Sequence, residues 1–203
     1  IHLHNLHGYY LDIRVLFEFL RNYGKPVVWT LHDCWAFTGR CIYFDGVACD
    51  RWKTGCGECP NLTEYPISSK TDKTKKMWRR KKELFCDLPN LTVITPSLWL
   101  SKQVQKSFLS KSPIKVINNG INLAVFKPTD SASLKKYGIK KEDRVVLGVS
   151  LGWTDRKGLD VFVELAERLP EEYKVVLVGT DDITDKNLPS KIVSIHRTQN
   201  AQE

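Results

Sequence analysis

The stretch Val116–Asp160 limits what this chain can become more than any other. A short β-branched run, Ile114–Ile117, ends on Asn118-Asn119-Gly120, a turn that only small or φ-permissive residues tolerate. Beyond it lie an apolar anchor at Val125–Phe126, a proline, and a polar helix-like piece that ends at Gly138. A second strand signal, Val145–Ser150, breaks at Gly152 and passes through Asp155-Arg156-Lys157-Gly158 into an amphipathic helix. One strand-terminated unit closes and another opens with cations at its loop. The pattern predicts two α/β lobes facing one cleft, the second presenting positive charge to an anion. The division is expected at residue 122, with one lobe over 1–122 and the other over 123–203.

Within the first lobe, Ile1–Asn5 alternates Ile1 and Leu3 with His2 and His4, a short strand. Tyr9–Asn22 carries Leu11, Val15, Leu16, Phe19 and Leu20 at helical spacing, and Gly24 stops it. Val27–Leu31 is a buried strand by its β-branched and aromatic content. Strand, helix and strand at this spacing make a right-handed unit with parallel strands. Ligands of such sheets sit at the carboxyl ends of the strands, so His4 to His7 and His32-Asp33 are predicted on one rim.

Cys34–Pro66 then interrupts the rhythm with a long insertion poor in regular structure, and loops of this length are functional or held by something. Thr71–Leu84 reads as a very basic helix whose apolar face is Met77, Trp78, Leu84 and Phe85. Leu91–Thr95 is a strand, Ser97 an N-cap, and Leu98–Leu109 a helix with Leu98, Leu100, Val104 and Phe108 inward. In the second lobe, Arg144–Ser150 is followed by a helix over Leu159–Leu169 with Val161, Phe162, Leu165 and Leu169 inward. Lys174–Gly179 and Ile192–His196 supply further strands.

No apolar run approaches a membrane span, and no signal peptide is visible. The chain begins at Ile1 inside an apolar run and stops at Glu203 without a closing element, so both ends are expected to be cut. A formal charge of +8 favours anionic partners, unless the lysines serve only solubility. Six cysteines without a secretory signal argue for reduced thiols or a metal over disulfides.

At this point the chain resembles a known family: bacterial retaining glycosyltransferases of the two-lobed GT-B type, in the branch of colanic-acid and capsular polysaccharide assembly. The likeness rests on HLHNLHGYY (2–10), WTLHDCWAFTGRC (29–41), GCGECP (55–60), TPSLWL (95–100), VINNGINLAVFKP (116–128) and WTDRKGLD (153–160). It implies an α/β fold of two Rossmann-like parallel-sheet lobes, both incomplete here, with the Cys-rich insertion 34–66 in the acceptor-side lobe. It implies transfer of a sugar from a nucleotide diphosphate donor to a hydroxyl of a saccharide or lipid-linked acceptor, with retention and with no catalytic metal. A cytoplasmic location, peripheral at the inner membrane face, goes with that role.

The resemblance also assigns residues. The family's rim histidine falls on His32, where a neutral imidazole can hold the donor sugar or the acceptor hydroxyl; the competing account is a histidine bonded to backbone at a strand end. Asp33 either orients that imidazole or caps the following turn, the cap being favoured. His4 and His7 would line the acceptor side. Lys157 matches the family's phosphate-binding lysine, helped by Arg156 and by the Asn119-Gly120 loop, with a plain solvated turn as the alternative. The arginine that relatives place where this chain has Gly152 is missing. The family's paired glutamates and its glycine-rich first loop are also missing, so the chain alone is expected to be inactive.

Two further features admit several readings. Cys41, Cys49, Cys56 and Cys59 have a spacing that suits a structural zinc, but free thiols, disulfides or an iron–sulfur cluster use the same residues. Cys34 and Cys86 read as packing residues. The basic run Lys70–Lys82 is a solvated face, a contact for an anionic membrane, or a nucleic-acid site, although no nucleic-acid fold motif accompanies it. From another functional class, the rival is therefore a non-catalytic, zinc-stapled module that docks a membrane or nucleic acid through this helix.

Overall fold

Residues 1–66, 71–128, 133–196 and 198 are described by a computed structural model. They divide into two units, Ile1–Gly120 and Ile121–Glu203. Lys70 and the last residues of the chain lie outside the described residues.

The first unit is built on a four-stranded parallel sheet in the order β1 (His2–Leu3), β2 (Val27–Thr30), β3 (Leu91–Thr95), β4 (Ile114–Val116). Between β1 and β2 runs α1 (Ile13–Tyr23), started by Asp12, whose side chain accepts from the Arg14 amide, and stopped by Gly24 in the left-handed region at φ 69°. Its buried stripe is Ile13, Phe17 and Leu20. The Phe17 ring lies 5.5 Å from Trp29 of β2 and 4.3 Å from Phe85 of α2 (Thr74–Phe85). Each such ring or aliphatic side chain removed from water contributes roughly 1.5–3 kcal/mol, so these contacts fix helix on sheet. α3 (Leu98–Gln105) follows β3, and the Ser97 hydroxyl accepts from the Leu100 amide as the sequence predicts.

Two expectations fail here for a periodic reason. Leu98 is 69% exposed, because α3 turns Leu100, Ser101 and Val104 inward. In α2 the buried face is Thr74, Trp78, Lys81, Leu84 and Phe85, so one cation of the basic run lies in the core.

The second unit holds a three-stranded parallel sheet, β5 (Arg144–Val149), β6 (Tyr173–Thr180) and β7 (Ile192–His196). Short α4 (Ser133–Lys136) precedes it, α5 (Leu159–Arg168) links β5 to β6, and α6 (Asp182–Asp185) lies before β7. Ala166, Val175, Leu177 and Ile192 form its core, with Phe162, Leu159 and Trp153 packed against them. Val161, expected inward, is 53% exposed, and Ala166 takes the central place. Gly179, at φ 84°, is obligatory: a Cβ there would stand 1.7 Å from the carbonyl oxygen of Ser150.

Candidate functional site

The carboxyl ends of β1 and β2 bring the rim residues together as the sequence predicts for parallel strands. The Trp29 indole N–H donates to the His4 carbonyl at 3.0 Å, which fixes the chain as it leaves β1. His4 Nδ1 then lies 2.9 Å from His32 Nε2, with the two rings stacked at 5.3 Å. One proton occupies that bond, which leaves Nδ1 of His32 as the ring nitrogen outside it. The His2 ring stands 4.4 Å from that of His4, and His2 Nε2 is 2.8 Å from the Thr30 hydroxyl.

Asp33 serves both as cap and as partner, although its histidine is not the expected one. Oδ1 accepts from the Trp35 amide at 2.8 Å, and Oδ2 lies 2.9 Å from His7 Nε2. Both side chains of this pair are nearly buried, at 12% and 13% exposure. An ionised carboxylate can only accept, which makes His7 the Nε2–H tautomer and leaves Nδ1 facing the Tyr65 hydroxyl at 3.4 Å. Trp35 borders His7 at 5.7 Å between ring centroids. His4, His7, His32, Asp33 and Trp35 thus line one depression, a pairing of imidazoles and carboxylate suited to holding hydroxyls and passing a proton.

Beneath the rim lies Lys81, fully buried, donating to the carbonyls of Trp35 at 2.7 Å and Thr38 at 3.1 Å. Its ammonium sits 3.5 Å over the Trp35 ring. Burial drives its pKa well below the ordinary lysine range, opposed by Cys56, Asp33 and Cys41. Neither Lys81 nor Tyr65 was legible as a site neighbour. Tyr65 is 58 residues from His7, and Lys81 lies within a basic run that reads as solvated, although it shares the buried face of α2 with Trp78 and Phe85.

Cys41, Cys49, Cys56 and Cys59 line a single cavity with Arg40, Trp52 and Thr74. All are free thiols. Burial, with Cys59 and Cys56 alongside, pushes the Cys41 thiol up to about 12, and burial pushes Cys56 up to about 11 against the Gly39 amide. The zinc expected here gains no support from their placement. Among the described residues, no group of three or more His, Cys, Asp and Glu is set to hold a metal ion. Cys34 is fully buried, as a packing residue should be.

In the second unit, the turn Asp155–Lys157 leads through Gly158, at φ 76°, into α5. The Lys157 amide donates to Thr154 and the Gly158 amide to Asp155, both at 2.8 Å. Arg156 and Lys157 are exposed at this helix start, where a partial positive charge favours anions. Just ahead, the Trp153 indole donates to the Val178 carbonyl at 3.1 Å and meets Phe162 edge-on. Asn119 and Gly120 are exposed, while neighbouring Asn118 donates to the Pro96 carbonyl at 3.0 Å.

No protein-family model matches the chain. It is 37% identical over 131 residues, 61% of its length, to an Escherichia coli (strain K12) protein named as a glycosyl transferase of colanic acid biosynthesis, WcaC, and covers 31% of that protein. Over 81 residues, 38% of the chain, it is 30% identical to the processive diacylglycerol alpha-glucosyltransferase of Acholeplasma laidlawii, covering 24% of it. The chain therefore spans less than a third of the curated relatives it matches. Its whole length overlays on 46% of the sucrose-phosphate synthase of Thermosynechococcus elongatus with a TM-score of 0.59 and 15% identity. That likeness shows the fold: parallel-sheet α/β units of the GT-B kind.

Proposed function

We propose that this chain belongs to a retaining glycosyltransferase that moves a sugar from a nucleotide diphosphate to a hydroxyl acceptor in cell-surface polysaccharide or glycolipid assembly. The observation that carries the reading is the rim at the ends of β1 and β2, where His4, His7, His32 and Asp33 meet. It gains weight from the similarity of the chain to two glycosyltransferases. In this reading the first unit offers the acceptor side and the second the donor side. The bond from the anomeric carbon to the diphosphate breaks, the acceptor oxygen takes its place on the same face, and the acceptor gives up its proton. His32, through Nδ1, would hold the reacting hydroxyl or sugar. Lys157 and the α5 amides, with Arg156 and the Asn119-Gly120 loop, would receive the diphosphate charge. The reaction needs no metal in this scheme.

The acceptor would be a saccharide or a lipid-linked saccharide at the cytoplasmic membrane face. Exposed Lys75, Lys76, Arg79 and Lys82 on α2 suit contact with anionic lipid. Among the described residues no helix is long and apolar enough to cross a membrane. The comparisons do not favour the docking-module alternative.

Nucleoside diphosphates titrated into the chain should shift the amides of Lys157, Gly158 and Leu159 in heteronuclear NMR spectra. Lys157→Ala should weaken that binding by about tenfold, near 1.4 kcal/mol for one charge-assisted contact. Shifts scattered over the surface and unaffected by the substitution would remove the donor site from this turn.

A further inference from the structure

Lys81 stands in a run of solvated cations, yet its own side chain is fully buried. Taking an ammonium out of water is costly, and an apolar side chain of similar length would fill the position without that cost. What the ammonium does there is legible from its contacts. Its three N–H groups meet three acceptors of one short segment: the Trp35 carbonyl at 2.7 Å, the Thr38 carbonyl at 3.1 Å, and the Trp35 ring at 3.5 Å. The segment is the single turn Trp35–Phe37 with its cap Thr38. Phe85, one turn further along α2, lies 6.3 Å from the same indole. Trp35 is therefore seated on two successive turns of α2.

On its other side Trp35 meets the rim. Its amide donates to Asp33 Oδ1 at 2.8 Å, its ring borders that of His7 at 5.7 Å, and Asp33 Oδ2 lies 2.9 Å from His7 Nε2. Each carboxylate oxygen thus has its own donor, and the place of the Trp35 amide sets the plane of the carboxylate. Asp33 in turn is one of the charges that favour the buried ammonium. A path of contacts runs from Lys81 to Trp35, to Asp33 and to His7. It ends on an imidazole whose Nδ1 faces the Tyr65 hydroxyl at 3.4 Å. His4 and His32 bond to each other, so the path serves His7.

We propose that Lys81 is a positioning residue for the rim. By gripping Trp35 through its carbonyl and its ring, it fixes Asp33. Through Asp33 it holds His7 with Nε2–H committed to the carboxylate and Nδ1 presented to a hydroxyl of the acceptor. The assignment rests on the reading of this rim as the acceptor side. Lys81 itself touches no substrate, because the turn it holds covers its ammonium.

The test is the tautomer of His7, read from the ring nitrogens in NMR spectra of the full chain labelled with ¹⁵N-histidine. The unmodified chain should show His7 as a single Nε2–H form. Lys81→Met keeps a long side chain and removes the ammonium. The ratio of the Nε2–H to the Nδ1–H form should then fall by about tenfold, the worth of one hydrogen bond to a charged group. His196, on its own carboxylate in the second unit, should keep its pattern. A merely structural lysine would lower the melting temperature and leave the His7 tautomer as it was; that result in a folded Lys81→Met chain overturns the proposal. If the variant does not fold, a pH titration of the unmodified chain decides. The Lys81 ammonium protons, shielded from exchange, should be lost on raising the pH together with the single His7 form. The groups facing that ammonium are Asp33, Cys41 and Cys56, and the two thiols, pushed up to about 12 and about 11, stay protonated until late in the titration. Changes at two separate pH values also overturn the proposal. No sugar enters the readout: a His7 response in a chain whose Lys157 turn takes up no nucleotide supports the role of Lys81 and removes only the transferase reading.

Discussion

The two units are built from the same parts and differ in how well the parts are covered. In the first, Phe17, Val27, Trp29, Phe85 and Val93 are all at or below 1% exposure, and polar groups as large as Lys81 are drawn inside. In the second, the apolar residues of β5 stand open: Val145 is 40% exposed, Leu147 58% and Val149 70%. A parallel sheet is stable when helices cover both faces. In the first unit β2 is buried on both faces within one continuous core, whereas among the described residues the core cluster of the second is smaller and centred on Ala166, Val175, Leu177 and Ile192. Cooperative stability should therefore be concentrated in the first unit, and the second should open more readily.

The sharpest way to test that contrast is to remove the hinge of the first core. Phe85→Ala deletes a ring packed on Phe17 and Trp29 and should cost about 3–5 kcal/mol, read as loss of hydrogen-exchange protection throughout β2 and β3. A loss confined to α2 would show that the first core is less continuous than its packing implies. In the second unit the larger lever is backbone rather than packing. Gly179→Ala should cost on the order of 3 kcal/mol, because a left-handed residue is forced against the Ser150 carbonyl. Peptides from β5 and β6 should lose protection while those from β2 and β3 keep it, and a loss spread over both units would deny their independence.

The smallest expected effect is a pH dependence confined to the second unit. His196 Nε2 lies 2.8 Å from Asp185 Oδ2. That carboxylate raises the His196 pKa above its ordinary value of 6.5, while bonds from Ser194 and His196 lower Asp185 below 3.8. The raised imidazole stabilises below about 6.5 and loses its effect as pH rises through the higher folded value. The lowered carboxylate stabilises above about 3.8 and loses its effect as pH falls through the lower folded value. His196→Ala should therefore widen the melting-temperature gap between the units most between those limits. An unchanged pH profile would mean that the exposed pair contributes nothing.

Much of this fold is visible in the sequence because strand runs such as Val27–Thr30 and Leu91–Thr95 are short, β-branched and bounded by clear breakers. The rim was legible too, since parallel strands put His4 and His32 at neighbouring ends whatever the details. The pairing was not legible. Whether Asp33 faces His32 or His7 depends on the turn after β2, and no periodicity encodes it. Lys81 was hidden for a different reason: in a run of lysines and arginines, composition argues for solvent, and only the spacing from Trp78 and Phe85 argues otherwise. Val161 and Leu98 failed because a helix with more apolar residues than its contact face can hold must expose some of them.

Five of the six tryptophans belong to the first unit, and Trp153 is alone in the second. Its indole is tied to the Val178 carbonyl two residues ahead of the Asp155–Lys157 turn. In a chain labelled with fluorotryptophan, one ¹⁹F resonance would therefore speak for the second unit, from beside the loop that offers its cations. That resonance would follow an arriving anion in a spectrum of six lines, with no change to any residue of the turn itself.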